Sequence, residues 1–222
     1  MLVVIEGIDG SGKGTQAQLL QKRLEAEGTS CTMFTFPNYD TTFFGHEVGR
    51  YLNGEFGGLA DLPAELVSML YAGDRFEKRD EIYEALEKYD VVICDRYVPS
   101  NLAHQVAKVP DEKKLALSEW IERLEYDVYK LPRPDAVVWL DMPVDVAMGF
   151  VLKKKGRSYT EEKMDMHEAS KTYLNSARAA YEQVALRQKW VHVEGCPDMA
   201  EGPKSIDAIH EEIYNEVVSR CK

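Results

Sequence analysis

A short apolar run, Leu2-Val3-Val4-Ile5, opens the chain and turns through Gly7-Ile8-Asp9-Gly10-Ser11-Gly12-Lys13 into a segment with helical spacing, Ala17, Leu20 and Leu24. The run has the length and β-branched character of a buried strand. Strand, glycine-rich turn and helix in this order form a phosphate-binding loop. Glycines let backbone N–H groups surround phosphate oxygens, and the helix start adds unpaired donors and a positive dipole end. Lys13 is placed to reach the terminal phosphates. The usual pattern sets Ser or Thr directly after the lysine; here Gly14 stands there and Thr15 follows, so the magnesium-facing hydroxyl is expected at Thr15. A bare turn with no ligand is the alternative, and the lysine, spacing and flanks together disfavour it. The loop, with Gly7, Asp9, Gly10, Ser11, Gly12, Lys13, Gly14 and Thr15, is expected to bind a nucleoside triphosphate.

The rest of the chain alternates in the same way. Strands are expected at Cys31–Phe36, Val91–Cys94 (ending in Asp95), Ala136–Asp141 and Trp190–Val193. Helices are expected from Lys13 to Glu27, with Gly28 as the stop, and from Glu47 to Leu52. Further ones are read from Pro63 to about Lys88 (continuous or with a break), Ser100 to Lys108, Asp111 to Lys130, Pro143 to Lys155, Met166 to Gln188 and Ser205 to Ser219. This pattern predicts an α/β three-layer sandwich, a parallel sheet of about five strands flanked by helices, with ligands at the carboxyl ends of the strands. No repeat or low-complexity linker divides residues 1–222, so one domain is expected.

Asp95 ends an apolar strand, where a magnesium-organising acid is expected beside a phosphate loop, and Arg96 follows with a guanidinium that can fork a phosphate. In isolation the pair reads as a turn cap and an exposed cation. The phosphate loop tips the balance towards function.

Several further stretches carry a resemblance. They are Glu6-Gly7-Ile8-Asp9 with Gly12-Lys13, Phe36-Pro37, Tyr71-Ala72-Gly73-Asp74-Arg75-Phe76, Asp95-Arg96-Tyr97-Val98-Pro99-Ser100-Asn101 and Arg133-Pro134-Asp135. Over nearly its whole length the chain resembles the thymidylate kinases, nucleoside monophosphate kinases of the P-loop class. The resemblance implies transfer of the ATP γ-phosphoryl group to dTMP with Mg²⁺, a step in dTTP synthesis. It also implies a homodimer and a mobile lid at about residues 153–165.

By that resemblance Arg96 clamps the acceptor phosphate, and Asp9 contacts the sugar 3′-hydroxyl. Tyr71 stacks on thymine while Arg75, four residues on and on the same helical face, bonds the base edge. Taken alone, Tyr71 reads as a core aromatic. Asn101 would hydrogen-bond the ring, and Phe36, Pro37, Ser100 and Gln105 complete the dTMP site. His104 stands where relatives often carry an aromatic that crowds the 2′ position. Relatives place an arginine shortly after the Phe-Pro pair; here the nearest is Arg50, the candidate for helping to hold the acceptor phosphate. Metal-facing groups are Thr15 and Asp95. Gly10-Ser11 leave the loop without a catalytic arginine, so Lys153-Lys154-Lys155-Gly156-Arg157 is the available source of cations, with Arg157 ahead of Lys153. A solvated helix end explains that cluster equally simply. Asp165 and Glu168 are candidates for ordering the acceptor site, although surface carboxylates are the commoner reading.

A net charge of −11 argues against a protein that coats nucleic acid or an anionic membrane. Cys31, Cys94, Cys196 and Cys221 show no metal-ligand spacing, and no apolar run approaches a membrane span, so a cytoplasmic protein with reduced thiols is expected. Two rivals follow from the same residues. AMP could be the acceptor, because Gly12-Lys13-Gly14-Thr15 also occurs in adenylate kinases; Tyr71, Arg75 and Asn101 oppose this. A nucleotide-gated switch is the other, but no Asn is followed by Lys, as a guanine motif needs.

Overall fold

The computed structural model describes residues 1–58, 61–153 and 170–220. Five parallel strands form one sheet: β1 (Leu2–Glu6), β2 (Cys31–Thr35), β3 (Val91–Asp95), β4 (Ala136–Asp141) and β5 (Val191–Glu194), in the order β2-β3-β1-β4-β5. β1 lies centrally, with Val3 opposite Ile93 on one side and Ala136 on the other. Both faces of β1 are buried, which is why its sequence is continuously apolar instead of alternating. Val3 and Ile5 join a core with Leu20 and Leu24 of α1 (Lys13–Ala26) and Ile213 of α9 (Ile206–Arg220). Leu2 and Val4 face the opposite layer, with Ile82 and Ala85 of α4 (Arg79–Lys88). Truncating Leu20 to Ala is expected to cost about 2–5 kcal/mol.

α1 stops where its sequence says. Gly28 adopts φ +85°, and the amides of Gly28 and Thr29 return to the carbonyls of Glu25 and Leu24 at 3.0 and 2.9 Å. This pattern satisfies two orphan carbonyls and favours a residue without Cβ. α2 spans Phe43–Leu52, four residues earlier than the sequence suggests, because the Thr42 hydroxyl caps it by accepting from the Gly45 amide at 2.9 Å. The helical region read between Pro63 and Lys88 is broken in two, α3 (Ala64–Glu77) and α4. α5 covers Val98–Val106. α6 (Asp111–Glu122) runs into a π-helical turn, Arg123–Val128, and α7 (Val144–Lys153) follows β4. α8 spans Lys171–Gln188. Among the described residues, no helix is long and apolar enough to cross a membrane.

Candidate active site

The turn after β1 brings two clefts together at the carboxyl end of the sheet. The first is lined by the loop residues Gly10, Ser11, Gly12, Lys13, Gly14 and Thr15, with Asp95 from the end of β3. Its outer wall is Phe150, Pro203, Lys204 and Ile206. Gly7 serves the turn's backbone: at φ +153°, a Cβ there would lie 2.6 Å from the Leu140 carbonyl oxygen. Gly14 explains the departure from the usual lysine-hydroxyl sequence. A Cβ on Gly14 would stand 2.8 Å from Asp95 Oδ2, so a serine or threonine there would push the carboxylate away.

The second cleft is lined by Asp9, Phe36, Pro37, Tyr71, Arg75 and Arg96, and by Ser100, Asn101, His104 and Gln105 of α5. Tyr39 and Leu52 complete it. Every residue expected at the dTMP site is therefore gathered here except Arg50. The Arg50 guanidinium is held by Glu55 at 2.8 Å and Glu47 at 2.9 Å, and lines a separate surface groove with Tyr39 and His46. Asp9, expected both in the phosphate loop and at the dTMP sugar, lines this second cleft and not the first.

Arg96 is held by protein groups on several sides. Its backbone is left-handed at φ +67°, an uncommon conformation for a residue with a side chain. Nη1 donates to the Gly7 carbonyl (3.0 Å), to Ser100 Oγ (3.0 Å) and to the Tyr181 hydroxyl (3.1 Å). Nη2 meets Asp9 Oδ1 at 2.7 Å. Beneath it, the fully buried Glu6 carboxylate accepts from the Tyr97 and Ser100 amides (2.9 and 3.0 Å) and from both hydroxyls. Burial raises the Glu6 carboxyl pKa, and Arg96 and the hydrogen bonds pull it back. For Arg96 burial works against the charge, but Asp9, Tyr181 and Glu6 more than reverse it, so the guanidinium stays ionised.

His104 completes this support. The Tyr173 hydroxyl donates to the His104 carbonyl at 3.3 Å, so it accepts from Nδ1–H at 2.9 Å. Nε2 is then the acceptor facing Arg96 Nη1 at 3.3 Å. Burial and the neighbouring Arg96 lower the His104 pKa to about 3, keeping the ring neutral.

At the far end of the cleft, Arg75 is buried and forms a two-pronged pair with Glu125, Nε at 2.6 Å and Nη2 at 2.7 Å. Asn101 Nδ2 donates to the same carboxylate at 2.8 Å. Glu6, Tyr173, Tyr181 and Glu125 are the residues that sequence reasoning missed as parts of the site. Tyr173, Ala177 and Tyr181 are spaced four apart on α8, a stripe that reads only as core.

The remaining expectations fall elsewhere. Arg157, Asp165, Glu168 and the body of the lid lie outside the described residues, as does the side chain of Lys153, whose backbone ends α7. Asp95 Oδ1 and Ser11 Oγ are buried polar atoms with no hydrogen-bond partner among the described residues, as are Asn101 Oδ1 and both amide atoms of Gln105. Orphaned polar atoms are costly unless a ligand satisfies them, and these line the two clefts.

The family model for thymidylate kinase matches residues 5–213. The chain belongs to the thymidylate kinase family. Among its relatives is the probable thymidylate kinase of Pyrococcus abyssi, 33% identical over 214 residues that span 95% of this chain and 92% of the relative. The thymidylate kinase of Schizosaccharomyces pombe is 30% identical over 97% of this chain and 90% of its own. That of Mycobacterium tuberculosis strain H37Rv is 35% identical over 147 residues, 66% of this chain and 68% of its own. Among solved structures, the thymidylate kinase of Candida albicans superposes with a TM-score of 0.72 at 21% identity, over 100% of this chain and 93% of that one, a likeness of fold. In this thymidylate kinase family member, residues of four of the five stretches that carry the resemblance line the two clefts or support Arg96, whereas Arg133-Pro134-Asp135 precedes β4, where Asp135 accepts from the Leu2 amide and lines a separate groove with Met1 and Asp90.

Proposed function

We propose that the cleft around Arg96 is the dTMP site and the cleft around Lys13 the ATP site of this kinase. Family membership makes the chain an enzyme that phosphorylates dTMP to dTDP with ATP. The observation that carries the assignment of sites is the position of Asp9, whose Oδ1 lies 2.7 Å from Arg96 Nη2 and 3.7 Å from Lys13 Nζ. One carboxylate thus spans the cation suited to an acceptor phosphate and the cation suited to a donor phosphate.

In this reading Arg96 binds the acceptor phosphate as a fork, fixed from behind by Ser100, Tyr181 and His104. Tyr71 and Phe36 cover the base, Arg75, Asn101 and Gln105 read its edge, and Asp9 takes the sugar hydroxyl. The acceptor oxygen is already anionic, so no strong general base is required; catalysis is positioning and charge stabilisation by Lys13, Arg96 and the lid cations Arg157 and Lys153. Adenine is assigned to the wall made by Pro203, Lys204 and Ile206. Thr15 and Asp95 suit Mg²⁺, whose chemistry is to neutralise phosphate charge; the orphaned Asp95 oxygen fits such an ion.

We assign residues 1–222 to one kinase domain with its lid at about 153–165. A homodimer is supported by the outer stripe of α3, where Leu66, Met69 and Phe76 are exposed close to the exposed Phe43. A cytoplasmic location is supported by the free, buried thiols of Cys31, Cys94 and Cys196.

The test is ADP release from ATP and Mg²⁺ with dTMP, with AMP or with no acceptor. Turnover that depends on dTMP and is weak with AMP agrees with the assignment. AMP as the better acceptor would overturn the roles given to Tyr71, Arg75 and Asn101.

A further inference from the structure

Glu125 lies in the π-helical turn after α6 and is completely buried, an expensive place for a carboxylate unless its donors are exact in geometry. It has three: Arg75 Nε on Oε2 at 2.6 Å, with Arg75 Nη2 (2.7 Å) and Asn101 Nδ2 (2.8 Å) sharing Oε1. Asn101 Nδ2 also donates to the Ser68 carbonyl at 3.1 Å. A carboxylate and a carbonyl can only accept, so the Asn101 amide has one orientation. Oδ1 is its remaining polar atom, buried and without a hydrogen-bond partner among the described residues, on a side chain that lines the acceptor cleft. Arg75 lines the same cleft, and its Nη1 takes no part in the pair with Glu125. Because Arg75 and Asn101 bond to the same oxygen, the two groups are neighbours.

We propose that Glu125 is a positioning residue that sets the hydrogen-bond polarity of the base site. By taking one Asn101 donor, while the Ser68 carbonyl takes the other, and one edge of the Arg75 guanidinium, it leaves an acceptor beside a donor. The complement is a base with a ring N–H next to a carbonyl: thymine, uracil and the 6-oxopurines. Cytosine and adenine present the opposite pair, an acceptor nitrogen beside an amino group. A wrong base then leaves buried groups of the site unpaired, which discriminates far more strongly than the loss of apolar contact. The inference rests on reading this cleft as the acceptor site.

The test compares kcat and KM for dTMP, dUMP and dCMP in the wild type and in Glu125→Gln. A glutamine brings an N–H₂ donor towards Arg75 and Asn101 and weakens the hold on the Asn101 amide, which then rests on the Ser68 carbonyl alone. The dTMP-to-dCMP ratio of kcat/KM should shrink at least about tenfold, mainly through KM for dTMP, while dUMP follows dTMP. Equal losses on all three acceptors, or an unchanged ratio, would overturn the proposal and leave Glu125 as a structural group. Should Glu125→Gln not fold, the wild type decides with N3-methyl-dTMP. Rejection of this base by at least about tenfold relative to dTMP supports the polarity, and equal use overturns it. Failure of the wild type to use dTMP would instead refute the acceptor site itself.

Discussion

Asp9 and Arg96 are joined at 2.7 Å in the cleft lined by Tyr71 and Arg75, although they come from the turns after β1 and β3, 87 residues apart. The pairing follows from the sheet. β1 and β3 are neighbours in parallel register, Ile5 opposite Asp95, so the residues that leave each strand's carboxyl end meet over the same edge. Arg96 is thereby held by protein groups alone, and in the proposed role as a phosphate ligand it would need little reorganisation during the reaction.

The neutral state of His104 has a stability consequence. Its pKa of about 3 in the fold lies below the usual value of 6.5, so between these values the unfolded chain binds the proton and the folded chain does not. The His104 contribution is complete above about pH 6.5 and is lost as pH falls towards 3. From pH 7 to pH 5 the wild type should lose about 2 kcal/mol more stability than His104→Asn, read from urea midpoints. Equal losses would show that His104 titrates normally.

Gly14→Ala separates stability from activity. Alanine favours a helix over glycine by about 1 kcal/mol, so the fold should hold within that margin. The new Cβ, placed 2.8 Å from Asp95 Oδ2, must turn the carboxylate aside. Turnover should fall by about 10²-fold, with a higher Mg²⁺ requirement. Unchanged Mg²⁺ dependence would argue that Asp95 does not serve the metal.

The lid cations make a separable prediction. Arg157→Ala should lower kcat by about 10²- to 10³-fold with little change in KM for dTMP, and Lys153→Ala should do the same less severely. Activity within about threefold in both variants would remove the lid as the source of the catalytic charge.

Much of this was legible in the sequence, and the exceptions have physical causes. Strands β1, β3 and β4 are β-branched runs buried on both faces, a signal that survives without context. The phosphate loop declares itself because its backbone demands glycine. The split at Lys78 between α3 and α4 is marked by neither proline nor glycine, so the sequence leaves a break open without placing it. Arg50 shows why charge near a motif is a weak guide: Glu47 and Glu55 are local competitors for its guanidinium. Glu125 reads as one more solvated helix carboxylate. Only the π-helical turn and a pairing across 50 residues bring it inside, and no local pattern carries that information.

The account stands most directly on Arg96, and the decisive quantity is kcat/KM for dTMP in Arg96→Ala. Removing a buried, charge-paired phosphate ligand should lower it by two to four orders of magnitude, equivalent to about 3–5 kcal/mol. Arg96→Lys should recover little, because one ammonium cannot replace a fork that bonds the phosphate while held by Ser100 and Tyr181. Near-normal activity in Arg96→Ala would contradict the assignment of this cleft as the acceptor-phosphate site.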